Sequence, residues 1–210
     1  MNRLLYETAM DWVFEGARVL DLGCGDGLFL SQLFEKRRIS GEGVERDSAM
    51  VMLSIERGLD VHHGDLLDGL AQHPDQSFDF VMLLGTFQEL IAPEAVLAES
   101  FRVGRQVILA HSNFANFRYR WHLSWQGRSP KTDDEDRPWY RSPTTQLFSV
   151  EDFIKYCNRR GVHRKQAAFF GRKRRLRFWP NLFAREALWL LEARASSFTK
   201  HEKAGNAARG

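Results

Sequence analysis

The chain has 210 residues, 43% of them hydrophobic and 27% charged, with a formal net charge of +3. That length fits one domain with a sizeable core, and so small a net charge names no partner. Two cysteines, Cys24 and Cys157, support neither a disulfide framework nor a metal knuckle, so no metal site is expected. The first residues carry Arg3, Glu7 and Asp11, which breaks any signal-peptide core, and apolar runs such as Phe80 to Leu84 fall far short of a membrane span. A cytoplasmic protein without a membrane partner is expected.

In chain order, "RVLDLG" is a short apolar run ended by glycine and reads as a buried strand. "LFLSQLFEKRR" follows with Leu28, Leu30, Leu33 and Phe34 near helical spacing. "ISGEGVE" reads as a second strand, and "DSAMVMLSIERG" as a helix capped by Asp47 or Ser48 and stopped at Gly58. "DVHHGDL" is a third strand and its exit, and "SFDFVMLL" a fourth, apolar on both faces. "APEAVLAESFRV" is a helix with Pro93 in its first turn, and "RQVILAHS" a fifth strand. Strands alternating with helices imply a doubly wound α/β fold with a mostly parallel sheet.

After Ser112 the texture changes. Residues 113–148 are rich in Trp, Tyr, Phe, Arg and Pro, and read as an insertion with a helix around Phe117 to Gln126 and an irregular acidic turn at 133–136. "SVEDFIKYCNRRG" is a helix capped by Ser149 with Asp152 three residues on, and "VHRKQAAFFG" is a strand. "REALWLLEARA" fits helix or strand by pattern alone. The domain is taken as 1–195, with 196–210 a polar, disordered tail.

The chemistry concentrates where the first strand meets the first helix. There the pattern is Gly23-x-Gly25-x-Gly27, and Leu28 stands where a dinucleotide fingerprint would want its last glycine. Acids lie at the ends of three successive strands: Asp21 before the glycines, Glu45 after the second strand, and Asp65 after the third. A carboxylate at the second exit can accept both hydroxyls of a ribose, and one at the third an exocyclic adenine amine. Asp21 can hold the turn or orient a cationic group. Three acids converging on one crevice point to a cationic, adenosine-containing ligand.

"VLDLGCGDG", Glu45, "GDL" and "SFDFVMLLGTFQEL" resemble class I S-adenosylmethionine-dependent methyltransferases. The resemblance implies a Rossmann-like sheet of seven strands with an antiparallel last strand, which makes "REALWLLEARA" that strand. The cofactor is then S-adenosylmethionine or S-adenosylhomocysteine, bound by Asp21, Gly23, Cys24, Gly25, Gly27, Glu45, Asp65, Leu66, Leu84 and Gly85, the last two through backbone. Over most of the chain, "RVGRQVILAHSNFANFRYRWHLSWQGRSP", "WYRSPTTQLFSVEDF" and "WPNLFAREALWLL" are similar to the methionine biosynthesis family MetW. The sequence departs from that pattern at Ser112, where Pro is expected, and at Gln146, where His is expected. MetW resemblance implies work with a homoserine O-acyltransferase of the α/β-hydrolase type (MetX), supporting homoserine acylation, with the bound nucleoside a regulatory ligand. The alternative is a stand-alone methyltransferase acting on a small molecule.

No Asn/Asp-Pro-Pro-Tyr follows the fourth strand, so amino-group methylation is not expected. Candidate bases are His62, His63, Glu89 and His111, of which His111 is best placed and still reads more readily as structural. His62 and His63, adjacent on a strand, point to opposite faces and make no metal pair. Cys24 has no basic partner in sequence and reads as packing. The aromatic and basic segment, with Trp121, Trp125, Trp139, Arg118, Arg120, Arg128 and Arg137, reads as a lid over the crevice or as a protein interface. The adjacent "DDED" argues against nucleic acid, and the basic run 172–177 reads as solvated surface.

Overall fold

The computed structural model describes residues 2–127 and 146–193. The acidic run 133–136, Arg128, Arg137, Trp139 and the tail 196–210 lie outside them. The elements are α1 (Arg3–Trp12), β1 (Arg18–Leu22), α2 (Leu28–Arg37), β2 (Ser40–Glu45), α3 (Ser48–Glu56), β3 (Val61–His63), α4 (Leu66–Ala71), β4 (Phe78–Leu84), a 3-10 turn (Phe87–Glu89) and α5 (Pro93–Val103). The second half adds β5 (Gly104–Ser112), α6 (Phe117–Gln126), α7 (Val150–Arg160), β6 (Val162–Phe170), β7 (Arg175–Leu176), α8 (Pro180–Phe183) and β8 (Glu186–Ala193).

One sheet runs in the order β3-β2-β1-β4-β5-β8-β6-β7. β1 to β5 pair in parallel, and β8 slots antiparallel between β5 and β6. The seven strands expected are present, "REALWLLEARA" among them as a strand, and two residues of β7 add an eighth at the edge. Alternation of side chains splits the apolar residues into two cores. Leu20, Leu22, Val81, Leu83, Val107 and Leu109 face α4, α5 and α7, while Val19, Phe80, Met82, Ile108 and Ala110 face α1 and α2.

The caps follow local chemistry. Asp47 accepts from the N–H groups of Ala49 and Met50 to start α3, and Ser149 and Asp152 close a reciprocal capping box at α7. α1 and α4 are additions to the sequence reading. Asn2 caps α1, and Leu5, Ala9 and Met10 form its buried stripe. Among the described residues no helix is long and apolar enough to cross a membrane.

Behind β5, two buried asparagines knot the return of the chain. Asn113 Nδ2 donates to the carbonyls of Pro180, Asn181 and Ala184, and its Oδ1 accepts from Ala115 and Val150 N–H. Asn116 Nδ2 donates to the Phe183 and Ala184 carbonyls while its Oδ1 caps α6. This fixes α6 against α8 at the carboxyl edge of the sheet, where the parallel strands end.

Candidate functional site

Parallel strands present their carboxyl ends on one edge, and the segments leaving β1, β2, β3 and β4 meet there. The glycine loop leaves β1 with Gly23 and Cys24 N–H both donating to the Val44 carbonyl of β2, at 2.8 and 3.2 Å. Gly23 has φ +76°, and a Cβ there would stand 2.3 Å from Thr86 Oγ1. Thr86, beside Gly85 after β4, in turn donates to the Leu22 carbonyl at 3.2 Å. The β4 exit therefore presses directly on the loop, and only glycine fits.

Glu45 organises the loop from the end of β2. Its Oε2 accepts the Gly25 N–H at 2.9 Å, and its Oε1 accepts Arg46 and Asp47 N–H at 2.7 and 2.9 Å. One carboxylate thus orders the turns after β1 and β2. The far side of the loop is held by α3 and by Arg57, the residue that follows it. Ser54 Oγ donates to the Gly25 carbonyl at 2.9 Å, and the Arg57 guanidinium meets both the carbonyl and the carboxylate of Asp26 at 2.8 and 2.9 Å. Sequence reasoning missed Ser54 and Arg57. Their only signal was polarity in a helix of otherwise apolar character.

Asp21, one strand position before the loop, is buried on the α1 and α2 face of the sheet. Burial first, and then the charge of Glu45, push its carboxyl up from 3.8 to about 7. Among the described residues no donor reaches its carboxylate oxygens. A buried acid with no internal partner is costly when ionised, and a cation from outside would relieve it.

Cys24 is buried against Gly43, where an added Cβ would come 2.5 Å from its sulfur. Burial, then Asp21 and Glu45, push its thiol up to about 12, so it stays protonated and packs rather than attacks. Gly27 takes a left-handed turn into α2, with Leu59 and Ser54 against it.

Asp65 and Leu66 follow β3 and join the cluster through Gly64, whose N–H donates to the Glu45 carbonyl at 3.0 Å. Asp65 is the N-cap of α4: its Oδ1 accepts Leu67 N–H at 2.9 Å, and Leu66 is buried. The ten expected positions therefore share one edge of the sheet. A cleft of about 550 Å³ opens beside the loop, lined by Gly23 to Asp26 together with Tyr6, Met10 and Phe29. Of the ten, Gly23, Cys24 and Gly25 line it; Asp21, Gly27, Glu45, Asp65, Leu66, Leu84 and Gly85 do not.

The candidate bases separate. His111 lies in an aromatic nest, 4.6 Å from Phe148 and 5.2 Å from Phe153 between ring centres and stacked on Trp189. Burial lowers it to about 4, and its Nδ1 lies 3.0 Å from the Ser112 carbonyl, so it is neutral and structural. His63 Nε2 sits 3.1 Å from the Arg46 carbonyl, while His62 turns to Gln72. Glu89 is exposed on the 3-10 turn. Buried Gln88 was not foreseen. It accepts Ser112 N–H at 2.7 Å and donates to the Ser112 and Gln146 carbonyls, pinning the exit of β5.

A crystal structure of an S-adenosylmethionine-dependent methyltransferase from Archaeoglobus fulgidus superposes with TM-score 0.66 at 17% identity, covering 90% of this chain and 93% of that one. A possible histamine N-methyltransferase from Thermotoga maritima superposes with TM-score 0.65 at 19% identity, covering 92% and 90%. At such identities the likeness establishes the fold alone. A curated relative, the bifunctional methionine biosynthesis protein MetXA/MetW of Rhodopirellula baltica, is 34% identical over 155 residues, 70% of this chain. The chain spans a quarter of that relative's length (25%). The family model for methionine biosynthesis protein MetW matches residues 3–191. On that match across nearly its whole length, carried on a class I methyltransferase-like sheet, the chain belongs to the MetW family.

Proposed function

We propose that the crevice binds S-adenosylmethionine or S-adenosylhomocysteine, and that the chain acts with a MetX-type homoserine O-acyltransferase to support homoserine acylation in methionine biosynthesis. The observation that carries the reading is the pairing of MetXA and MetW in one polypeptide of the Rhodopirellula relative. Covalent joining holds two activities at high effective concentration, which favours partners that work together.

The residues present fit such a ligand. Asp21 is a buried carboxylate that lacks a donor among the described residues, and the ligand's amino-acid end brings a cation. An added Cβ at Gly25 would meet nothing within 4 Å, so bare backbone faces open space where a ligand can approach. Glu45 keeps acceptor capacity beyond its three backbone bonds for ribose hydroxyls, and Asp65 keeps Oδ2 for an adenine amine. Leu84 and Gly85 offer backbone at the β4 exit. When bound, S-adenosylmethionine supplies a sulfonium-activated methyl group. The chain's own residues bind and orient. Cys24 is held as a thiol and His111 is locked in the aromatic nest, which favours a ligand-sensing accessory role.

A second reading, a stand-alone methyltransferase for a small molecule, is favoured by the cleft lined with Tyr6, Met10 and Phe29, which leaves room for an acceptor beside the loop. Two measurements test these readings. Calorimetry with S-adenosylmethionine and S-adenosylhomocysteine should show saturable binding. A homoserine O-acyltransferase assay with and without the chain should show a change in rate. No heat on titration removes the ligand. An unchanged acyltransferase rate, with no copurification of the two proteins, removes the partner.

A further inference from the structure

At the carboxyl edge of the sheet, beyond β5 and β6, five aromatic rings lie exposed along two elements. Trp179 stacks on Phe183 at 6.2 Å between ring centres, and Phe183 meets Phe117 edge-on at 5.9 Å. One helical turn further along α6 is Trp121, which stacks on Trp125 at 5.1 Å and 6°. α6 has no buried residue. The rings are 41% to 75% exposed.

A large ring contributes 150–250 Å² when buried, so these five, roughly three-fifths exposed, offer on the order of 600 Å². A standard interface takes about 800 Å² from each partner, so the rings alone offer most of one side. The arrangement is also built. The buried side chains of Asn113 and Asn116 take the carbonyls of α8 and set it against α6, as described above. Trp179 is held with φ +47°, a left-handed backbone uncommon for tryptophan. Rigid, preorganised aromatics lose little entropy on binding.

Charge specifies the partner further. α6 carries Arg118 and Arg120, and the segment 171–183 leading through β7 into α8 carries five bases between 172 and 177. Neither segment holds an acid. Among the described residues, no carboxylate pairs with any of these five hairpin bases, all of which are exposed. The complementary surface is acidic.

We infer that this basic aromatic face is the docking surface for an acidic patch on a protein partner, and that the partner is the homoserine O-acyltransferase. The identity of the occupant rests on the preceding section; the location does not. Docked there, the partner sits at the same sheet edge as the glycine loop, where it can respond to what the crevice holds.

The test measures binding of the full chain to the homoserine O-acyltransferase of the same organism, at low and high salt. Two variants target the face: Trp121→Ala with Trp125→Ala, and Arg172→Glu with Arg174→Glu. Met52→Ser, on an exposed apolar position of α3, is the control. All the substituted side chains are exposed, and retained S-adenosylhomocysteine binding verifies the fold. The ring variant should weaken the complex at least ~30-fold, the level of an interface hot spot. Charge reversal should weaken it too and flatten its salt dependence. Met52→Ser should leave it unchanged. If the wild-type chain binds and both face variants bind equally well, the location is overturned and the partnership stands. Failure of the wild-type chain to bind at all overturns both. A single-stranded RNA oligonucleotide bound more tightly than the acyltransferase, and lost in the same variants, overturns the protein partner.

Discussion

Asp21→Asn should make the free protein more stable and the ligand complex weaker. Asparagine keeps the size of the side chain and removes its charge. The folded carboxyl titrates at about 7 instead of 3.8, a displacement of about 3 pH units at about 1.4 kcal/mol each, or ~4 kcal/mol. The sign follows from proton counts. Between these two values the folded chain holds a proton that the unfolded chain has released, so wild-type stability falls as pH rises from about 4 to 7 and stays lowered above that. The amide escapes this slope. Allowing for relaxation around a buried group, we expect the variant to gain ~2–4 kcal/mol near pH 8, with the gain shrinking toward zero near pH 4. Urea denaturation across that range, followed by tryptophan fluorescence, reads the difference. In parallel, calorimetry near pH 8 should show affinity for S-adenosylmethionine reduced by about tenfold or more, the loss of a charge-assisted hydrogen bond. A variant destabilised equally at both ends of the pH range would mean that the carboxylate serves the fold. Unchanged ligand affinity would remove Asp21 from the site.

Substitutions at three further positions probe neighbouring parts of the molecule. His111→Phe should flatten the acid limb of stability: the folded imidazole titrates at about 4 instead of 6.5, so wild-type stability, complete above 6.5, is lost as pH falls toward 4 by ~3 kcal/mol. Denaturation midpoints near pH 5 that do not improve relative to wild type would contradict this. Glu45→Ala should weaken S-adenosylmethionine binding by ~1.5–3 kcal/mol, since it removes a charged acceptor and loosens three backbone N–H groups; a calorimetric affinity equal to wild type would refute it. Ser112→Pro should cost ~1–3 kcal/mol by deleting the N–H that Gln88 accepts at 2.7 Å, whereas Ser112→Ala, which keeps that N–H, should be near neutral in the same urea titration.

Much of the fold was legible where its signals are local. β1 is an apolar run ended by glycine, α3 opens on Asp47, and α7 opens on Ser149 with Asp152 three residues on. "REALWLLEARA" shows the limit. Its apolar residues fit helix or strand, and its place between two strands distant in sequence decides, which only the sheet supplies. α4 spans six residues and β7 two, both shorter than the window in which a period declares itself. The acids at the strand ends were easy to find and harder to assign. Asp65 marks a strand exit and also caps a helix, because the same short carboxylate suits both tasks. Ser54 and Arg57 hold the glycine loop from about thirty residues away, and no spacing rule carries that contact. The exposure of the aromatic rings on α6 was equally out of reach: a run of Trp and Phe in sequence looks the same whether it covers a cleft or faces solvent.

The position of β8 constrains how the molecule is made. Among the described residues it is the last strand, yet it lies between β5 and β6 and bonds to both. During synthesis the β3-to-β5 body can assemble first, because each of its crossovers is local. It then waits, with the long edge of β5 unpaired, until residue 193 has left the ribosome. Over that interval β5 and β6 each present open backbone, a template for wrong pairing between nascent chains. A chain cut before β8 would keep the glycine loop and lose the strand that joins β6 to the sheet. Such a fragment should depend on chaperones long before it fails to hold a ligand.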